Sequence, residues 1–95
     1  MGEEFREVAR VQNVVIEEIV SSATPDSFEY RQTQDEWVVV LEGAATLDVD
    51  GTEVTLAAGE WILIRAFTRH RVLTTEGGTR WLAVHVHPAD AVADY

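Results

Sequence analysis

The chain has no cysteine, and it sets only seven basic side chains against seventeen acidic ones. Without cysteine there is neither a disulfide framework nor a thiolate metal site, which fits a cytoplasmic protein. No apolar run approaches the roughly 20 residues that cross a bilayer as a helix, and no basic-then-apolar leader opens the sequence. No membrane partner is therefore expected. The shortage of basic charge leaves a net −10. Such a surface repels phosphate backbones, so nucleic acid is a poor partner. What the chain does have is apolar content: 46% of its 95 residues are hydrophobic, which excludes disorder. The expectation is a single domain over residues 1–95, small enough that pairing with a second copy as a homodimer would help it.

Residues 3–12 carry Phe5, Val8 and Val11 at helical spacing, with Glu3 and Glu4 where a helix dipole favours acid. A short N-terminal helix is the expectation there. Val14 to Val20 is β-branched and reads as a strand. Thr24-Pro25-Asp26-Ser27 reads as a turn, and from Phe28 onward every segment is strand-like. Asp50-Gly51 suits a two-residue turn with positive φ at both positions. That register sets Val49 opposite Thr52, Leu47 opposite Val54 and Ala45 opposite Leu56, an apolar face, with Asp48 and Glu53 on the wet side. Asp48-x-Asp50-Gly51 lacks the later ligands of a calcium loop, so it reads as a turn. Ala57-Ala58-Gly59-Glu60 makes the next turn and Trp61-Ile62-Leu63-Ile64 a buried strand. Arg71–Thr75 and Arg80–Val86 flank Glu76-Gly77-Gly78. Short strands at this spacing predict an all-β sandwich or barrel. After Pro88 the tail has no pattern.

Glu36, Gly43, Gly59 and His70 fall at spacings that resemble the two motifs of the cupin superfamily. The first motif runs glycine, five residues, His-x-His, three or four residues, glutamate, six residues, glycine. Glu36 and Gly43 match its end, while Tyr30 and Gln32 replace its histidines and Thr24 its opening glycine. In the second motif Gly59 and His70 match, but Arg65, Phe67 and Thr74 replace proline, glycine and asparagine. The resemblance covers about residues 14–87 and implies a double-stranded β-helix, or jelly-roll barrel. Segments such as Tyr30-x-Gln32, Asp35-Glu36-Trp37, His70-Arg71-Val72 and Trp81 to His85 resemble a group of small bacterial single-domain cupins of unassigned activity. The superfamily hosts many chemistries, so the likeness specifies fold more than function.

Tyr30, Gln32, Glu36, Val38 and Val40 share parity, and in a cupin that parity points into the barrel mouth. A carboxylate beside valines must be paired, protonated or metal-bound, which makes Glu36 a candidate; its plain reading is an exposed strand glutamate. His70, at motif position, is either a structural hydrogen-bonder or a site residue. If Gly77-Gly78 is a two-residue turn, His70 lies opposite His85 with Cβ atoms about 5 Å apart. A jelly roll that sends successive strands to opposite sheets would void this register. His87 shares the parity of His85 but is expected exposed. Gln32 offers an amide oxygen to a metal, a ligand or Glu36. Tyr30 and Trp81 are expected to line the pocket, and Trp37, Trp61 and Trp81 to serve core or interface. Arg65, Arg69 and Arg71 either meet an anionic substrate or pair with the abundant acids.

Two function classes follow from the resemblance. In the first, a small polar molecule binds beside a divalent metal (Fe, Mn, Ni or Zn) held by Glu36 and His70 with one or two of Gln32 and His85. Glu36, His70 and His85 would form a two-histidine, one-carboxylate set for oxygenase or isomerase chemistry, with no organic cofactor. In the second, the barrel is metal-free. Glu36 and His70 then form an acid–base pair for isomerisation or epimerisation, or the domain binds or senses a ligand without catalysis.

Overall fold

The structure, a computed structural model, describes residues 2–25 and 28–88. It contains eight strands: β1 Glu3–Val11, β2 Val14–Ser21, β3 Asp35–Glu42, β4 Ala44–Val49, β5 Thr52–Ala57, β6 Trp61–Ile64, β7 His70–Thr75 and β8 Thr79–Val86. They form an antiparallel five-stranded sheet, β1-β2-β8-β3-β6, and a three-stranded sheet, β5-β4-β7. This is the jelly-roll arrangement the sequence predicts. The expected turn at Thr24–Ser27 lies partly, and the tail after Pro88 wholly, outside the described residues.

Apolar alternation builds the interior. Val38 and Val40 of β3 and Trp81 and Ala83 of β8 turn inward to meet Ala45 and Leu47 of β4 and Leu56 of β5. A run of apolar residues with period two is what a strand needs to bury one face. The indole Nε1–H of Trp81 is satisfied inside this core by Ser21 Oγ at 2.9 Å. The Asp50-Gly51 hairpin forms in the predicted register, Val49 opposite Thr52 through Ala45 opposite Leu56. Both turn residues have positive φ, 50° and 88°. Gly51 N–H also donates to Asp48 Oδ1 at 2.9 Å.

Three expectations are corrected. Residues 3–12 are not a helix: β1 forms a hairpin with β2 through Gln12-Asn13, with Gln12 at φ 52°. The register shifts between Glu7 and Ala9, so Val8 is an extra residue that breaks the period of two and mimics helical spacing. The cross-strand pair Arg6–Glu18, 2.8 Å, ties the hairpin down. Trp61–Ile64 is not a buried strand. It is a sheet edge paired only to β3, with Ile64 buried and Trp61 and Leu63 facing out. Finally, β7 and β8 do not pair with each other. Gly77-Gly78 carries the chain from one sheet to the other, and β8 runs between β2 and β3.

Candidate functional site

One end of the sandwich opens into a cavity of about 70 Å³, walled mainly by apolar side chains from both sheets. Three local devices bring polar groups to it. Tyr30 pairs through its backbone with His70, Tyr30 N–H to His70 O at 2.7 Å and His70 N–H to Tyr30 O at 3.0 Å. Their rings stack with centroids 5.7 Å apart, which limits the swing of the imidazole. Gln32 is held by its carbonyl, which accepts from Phe67 N–H at 2.7 Å. Phe67 has φ 64°, so the position where the cupin motif carries glycine keeps a left-handed backbone despite its side chain. Asp35 Oδ1 accepts from Ala66 N–H at 2.8 Å and Arg65 at 3.2 Å, pinning the start of β3 to the same loop. The Ala66 N–H bond, with Arg65 adding to it, holds the Asp35 carboxyl below its ordinary value.

Glu36 and His70 converge from opposite sheets: Glu36 Oε1 lies 3.6 Å from His70 Nε2, and both residues are 8% exposed. A carbonyl oxygen only accepts, so the 3.0 Å contact of His70 Nδ1 with Thr68 O puts a proton on Nδ1. Nε2 is thereby aimed at Glu36. The 3.6 Å gap is an ion-pair distance rather than a full hydrogen bond. Burial opposes charging of this imidazole, but Glu36 and the Thr68 carbonyl together outweigh it and raise its pKa above the usual 6.5. Gln32 Oε1, also at the cavity, is buried with no hydrogen-bond partner.

His85 reaches the same cavity by a route the expected hairpin did not contain. It sits beside Glu36 on the neighbouring strand and opposite Val15 on β2. Its ring nitrogens are engaged elsewhere, Nε2 with Glu17 Oε1 at 3.2 Å and Nδ1 with Gln34 Nε2 at 3.3 Å. Among the described residues, no three of His, Cys, Asp or Glu gather as a metal-holding group. His87 is half-buried rather than exposed, stacked 6.2 Å from His85. Burial, with the charge of His85 and Arg10, lowers its pKa. Trp81 lines the cavity floor from the core, as does Val38. Glu17 was missed in the sequence, although its parity with Val15 and Ile19 turns it inward. Arg65 and Arg71 pair with acids, Asp35 and Asp48, and Arg69 lies on a separate groove of about 220 Å³ near Asp48 and Asp50.

With this geometry in place, comparison with known proteins is direct. The family model for the cupin domain matches residues 18–89. The chain belongs to the cupin family. No protein of curated function matches it. A Ralstonia eutropha protein provisionally assigned as a mannose-6-phosphate isomerase is 38% identical, with 90% of this cupin and 85% of that chain aligned at a TM-score of 0.80. KdgF from a Halomonas species superposes at a TM-score of 0.82 with 15% identity, covering 95% and 84% of the two chains. The cupin domain of an XRE-family transcriptional regulator from Enterobacter cloacae superposes at 0.81 with 14% identity, over 93% and 99%. At 15% and 14% identity the last two speak for this cupin's fold alone.

Proposed function

We propose that this cupin binds a small polar molecule in the barrel mouth and that Glu36 and His70 act on it as an acid–base pair. The observation that carries this reading is their convergence at 3.6 Å inside an apolar cavity, with the imidazole oriented by Thr68. An α-hydroxycarbonyl compound bound there would lose the proton on its hydroxyl-bearing carbon to one member of the pair. The electron pair shifts onto the carbonyl oxygen, which takes a proton from the other member, giving an enediol. Protonation of the former carbonyl carbon, with the second hydroxyl giving its proton back to the pair, yields an isomer. Protonation of the original carbon from the other face, with the first hydroxyl giving its proton back, yields an epimer, and no oxidant or reductant is consumed. The apolar walls exclude water from the pair, and general acid–base help of this kind contributes about 10²–10⁴-fold. Isomerase chemistry of this class also fits the provisional assignment of the Ralstonia protein.

The test is solvent-deuterium exchange, followed by proton NMR, in a panel of small aldoses and ketoses. Wild type is expected to label the carbon beside the carbonyl of at least one member. A panel left unlabelled by wild type counts against the acid–base reading.

One observation favours a second reading. The buried, unpartnered Gln32 Oε1 joins Glu36 and His70 to make an amide oxygen, a carboxylate and an imidazole nitrogen, a donor set that fits a divalent cation. A cation bound there would polarise a substrate carbonyl as a Lewis acid. His85, occupied by Glu17 and Gln34, would have to release a partner to join them. Stoichiometric binding of Mn(II) or Zn(II) that disappears in His70→Ala would give this reading precedence.

We also infer a homodimer. The outer face of the five-stranded sheet is apolar: Trp61 is 59% exposed, Leu63 48% and Leu41 39%, and Trp37 packs on Trp61 at 5.8 Å. An apolar face of this kind is what a two-fold interface of about 800 Å² per partner covers. Light scattering at micromolar concentration is expected to give twice the chain mass, and Trp61→Glu to halve it. A wild-type monomer would end this inference.

A further inference from the structure

Among the described residues, the charged side chains that line the cavity other than histidine are all acidic: Glu3, Glu17 and Glu36. The chain has no lysine, and none of its seven arginines reaches the lining. Five of them pair with acids elsewhere: Arg6 and Arg80 with Glu18, Arg10 with Glu7, Arg65 with Asp35 and Arg71 with Asp48. To these acids the cavity adds Gln32 Oε1, a buried acceptor without a donor. The site is therefore rich in acceptors and, among the described residues, offers a phosphate no lysine or arginine.

Glu17 is placed rather than incidental. Gln34 Nε2 donates to His85 Nδ1, which leaves the N–H of Nε2 to be given to Glu17 Oε1 at 3.2 Å. A carboxylate that receives an N–H from a buried ring is fixed in direction, and its second oxygen remains for a ligand. Glu17 and Glu36 thus stand at the cavity as two carboxylates, each backed by an imidazole, His85 and His70.

We propose that Glu17, positioned by His85, is a ligand-binding residue that makes this pocket select a small molecule carrying a protonated amine and reject its phosphorylated counterpart. This rests on the reading of the cavity as the ligand site, and it gives that ligand a charge. An ammonium group supplies three donors to a site of acceptors, whereas a phosphate brings negative charge to three glutamates. A charge-assisted hydrogen bond in a partly dry site is worth about ten-fold in affinity or more. The apolar walls leave room for a short carbon frame. The inference separates this cupin's substrate from the phosphosugar named for its Ralstonia neighbour.

The test uses three probes with one three-carbon frame: glycerol, 3-amino-1,2-propanediol and glycerol 3-phosphate. Each is titrated into nitrogen-15-labelled protein at fixed ionic strength, with amide shifts as the readout. The amine is expected to bind at least ten-fold tighter than glycerol, and the phosphate to show no saturable binding. Glu17→Gln should bring amine and glycerol within about two-fold. Glu53→Gln, an equal charge change on the exposed side of β5, should leave the ten-fold preference intact. Should Glu17→Gln fail to fold, His85→Ala carries the test, because it frees the carboxylate and should lower the preference to an intermediate value. Phosphate binding as tight as the amine, an amine preference that survives both pocket variants, or no binding of any probe would each overturn the proposal. The two readings separate cleanly. An amine preference without deuterium exchange sinks the acid–base chemistry alone, and exchange with a phosphate preference sinks the charge selection alone.

Discussion

Alanine at position 43 is expected to destabilise the protein by about 2–4 kcal/mol, lowering its melting temperature by roughly 10–25 °C. Gly43 joins β3 to β4, where the chain leaves the large sheet for the small one, and has φ 91°. A Cβ there would stand 2.4 Å from Thr79 Oγ1 and 3.0 Å from Thr79 Cα. Thr79 cannot step aside cheaply. It is fully buried, and its hydroxyl meets Glu76 O at 2.7 Å and the backbone of Ala44 at 3.1 and 3.3 Å. Gly59 makes the comparison internal: it too has positive φ, 88°, but nothing lies within 4 Å of its missing Cβ. Gly59→Ala should therefore cost only the backbone strain, about 1–2 kcal/mol. Differential scanning calorimetry of the two variants isolates the Thr79 contact, and equal melting temperatures would show that it matters little.

Both glycines were visible in the sequence, and so was the reason for one of them. Asp50-Gly51 fixed a hairpin register because turn chemistry acts over four residues and needs no knowledge of the rest of the fold. Glu36 and His70 could be matched to motif positions, and the structure brings their side chains to 3.6 Å. What could not be read was the order of strands in the large sheet. His85 lies beside Glu36 because β8 inserts between β2 and β3, and no local signal marks a partner some 50 residues away. A two-residue glycine turn looked the same whether it closed a hairpin or crossed between sheets. The N-terminal segment misled for a physical reason as well, since a bulge at Val8 shifts parity by one and gives apolar residues helical spacing. Glu17 was legible in principle. Its alternation with Val15 and Ile19 turns it inward, but two adjacent glutamates invite the reading of a solvated strand face.

The second large effect concerns Glu36. Glu36→Gln keeps the shape of the side chain and removes the charge that faces His70. Deuterium exchange into a responsive carbonyl substrate is expected to fall by about 10²-fold or more, the contribution of one member of an acid–base pair. His70→Asn should lose as much, and the double variant little more than either alone, because the two act as a unit. Loss in the two single variants that simply adds in the double would mean that they act independently.

The pair also leaves a mark on stability. The folded-state pKa of His70 is raised above 6.5, so its protonated form is favoured by folding. That contribution is full below about pH 6.5 and is lost as pH rises through the folded value. The direct measurement is the titration of His70 followed by heteronuclear NMR of its ring, in wild type and in Glu36→Gln. The account predicts a midpoint above 6.5 in wild type that drops when Glu36 loses its charge. A wild-type midpoint at or below 6.5, or one that Glu36→Gln leaves in place, would contradict the coupling on which the proposed chemistry stands.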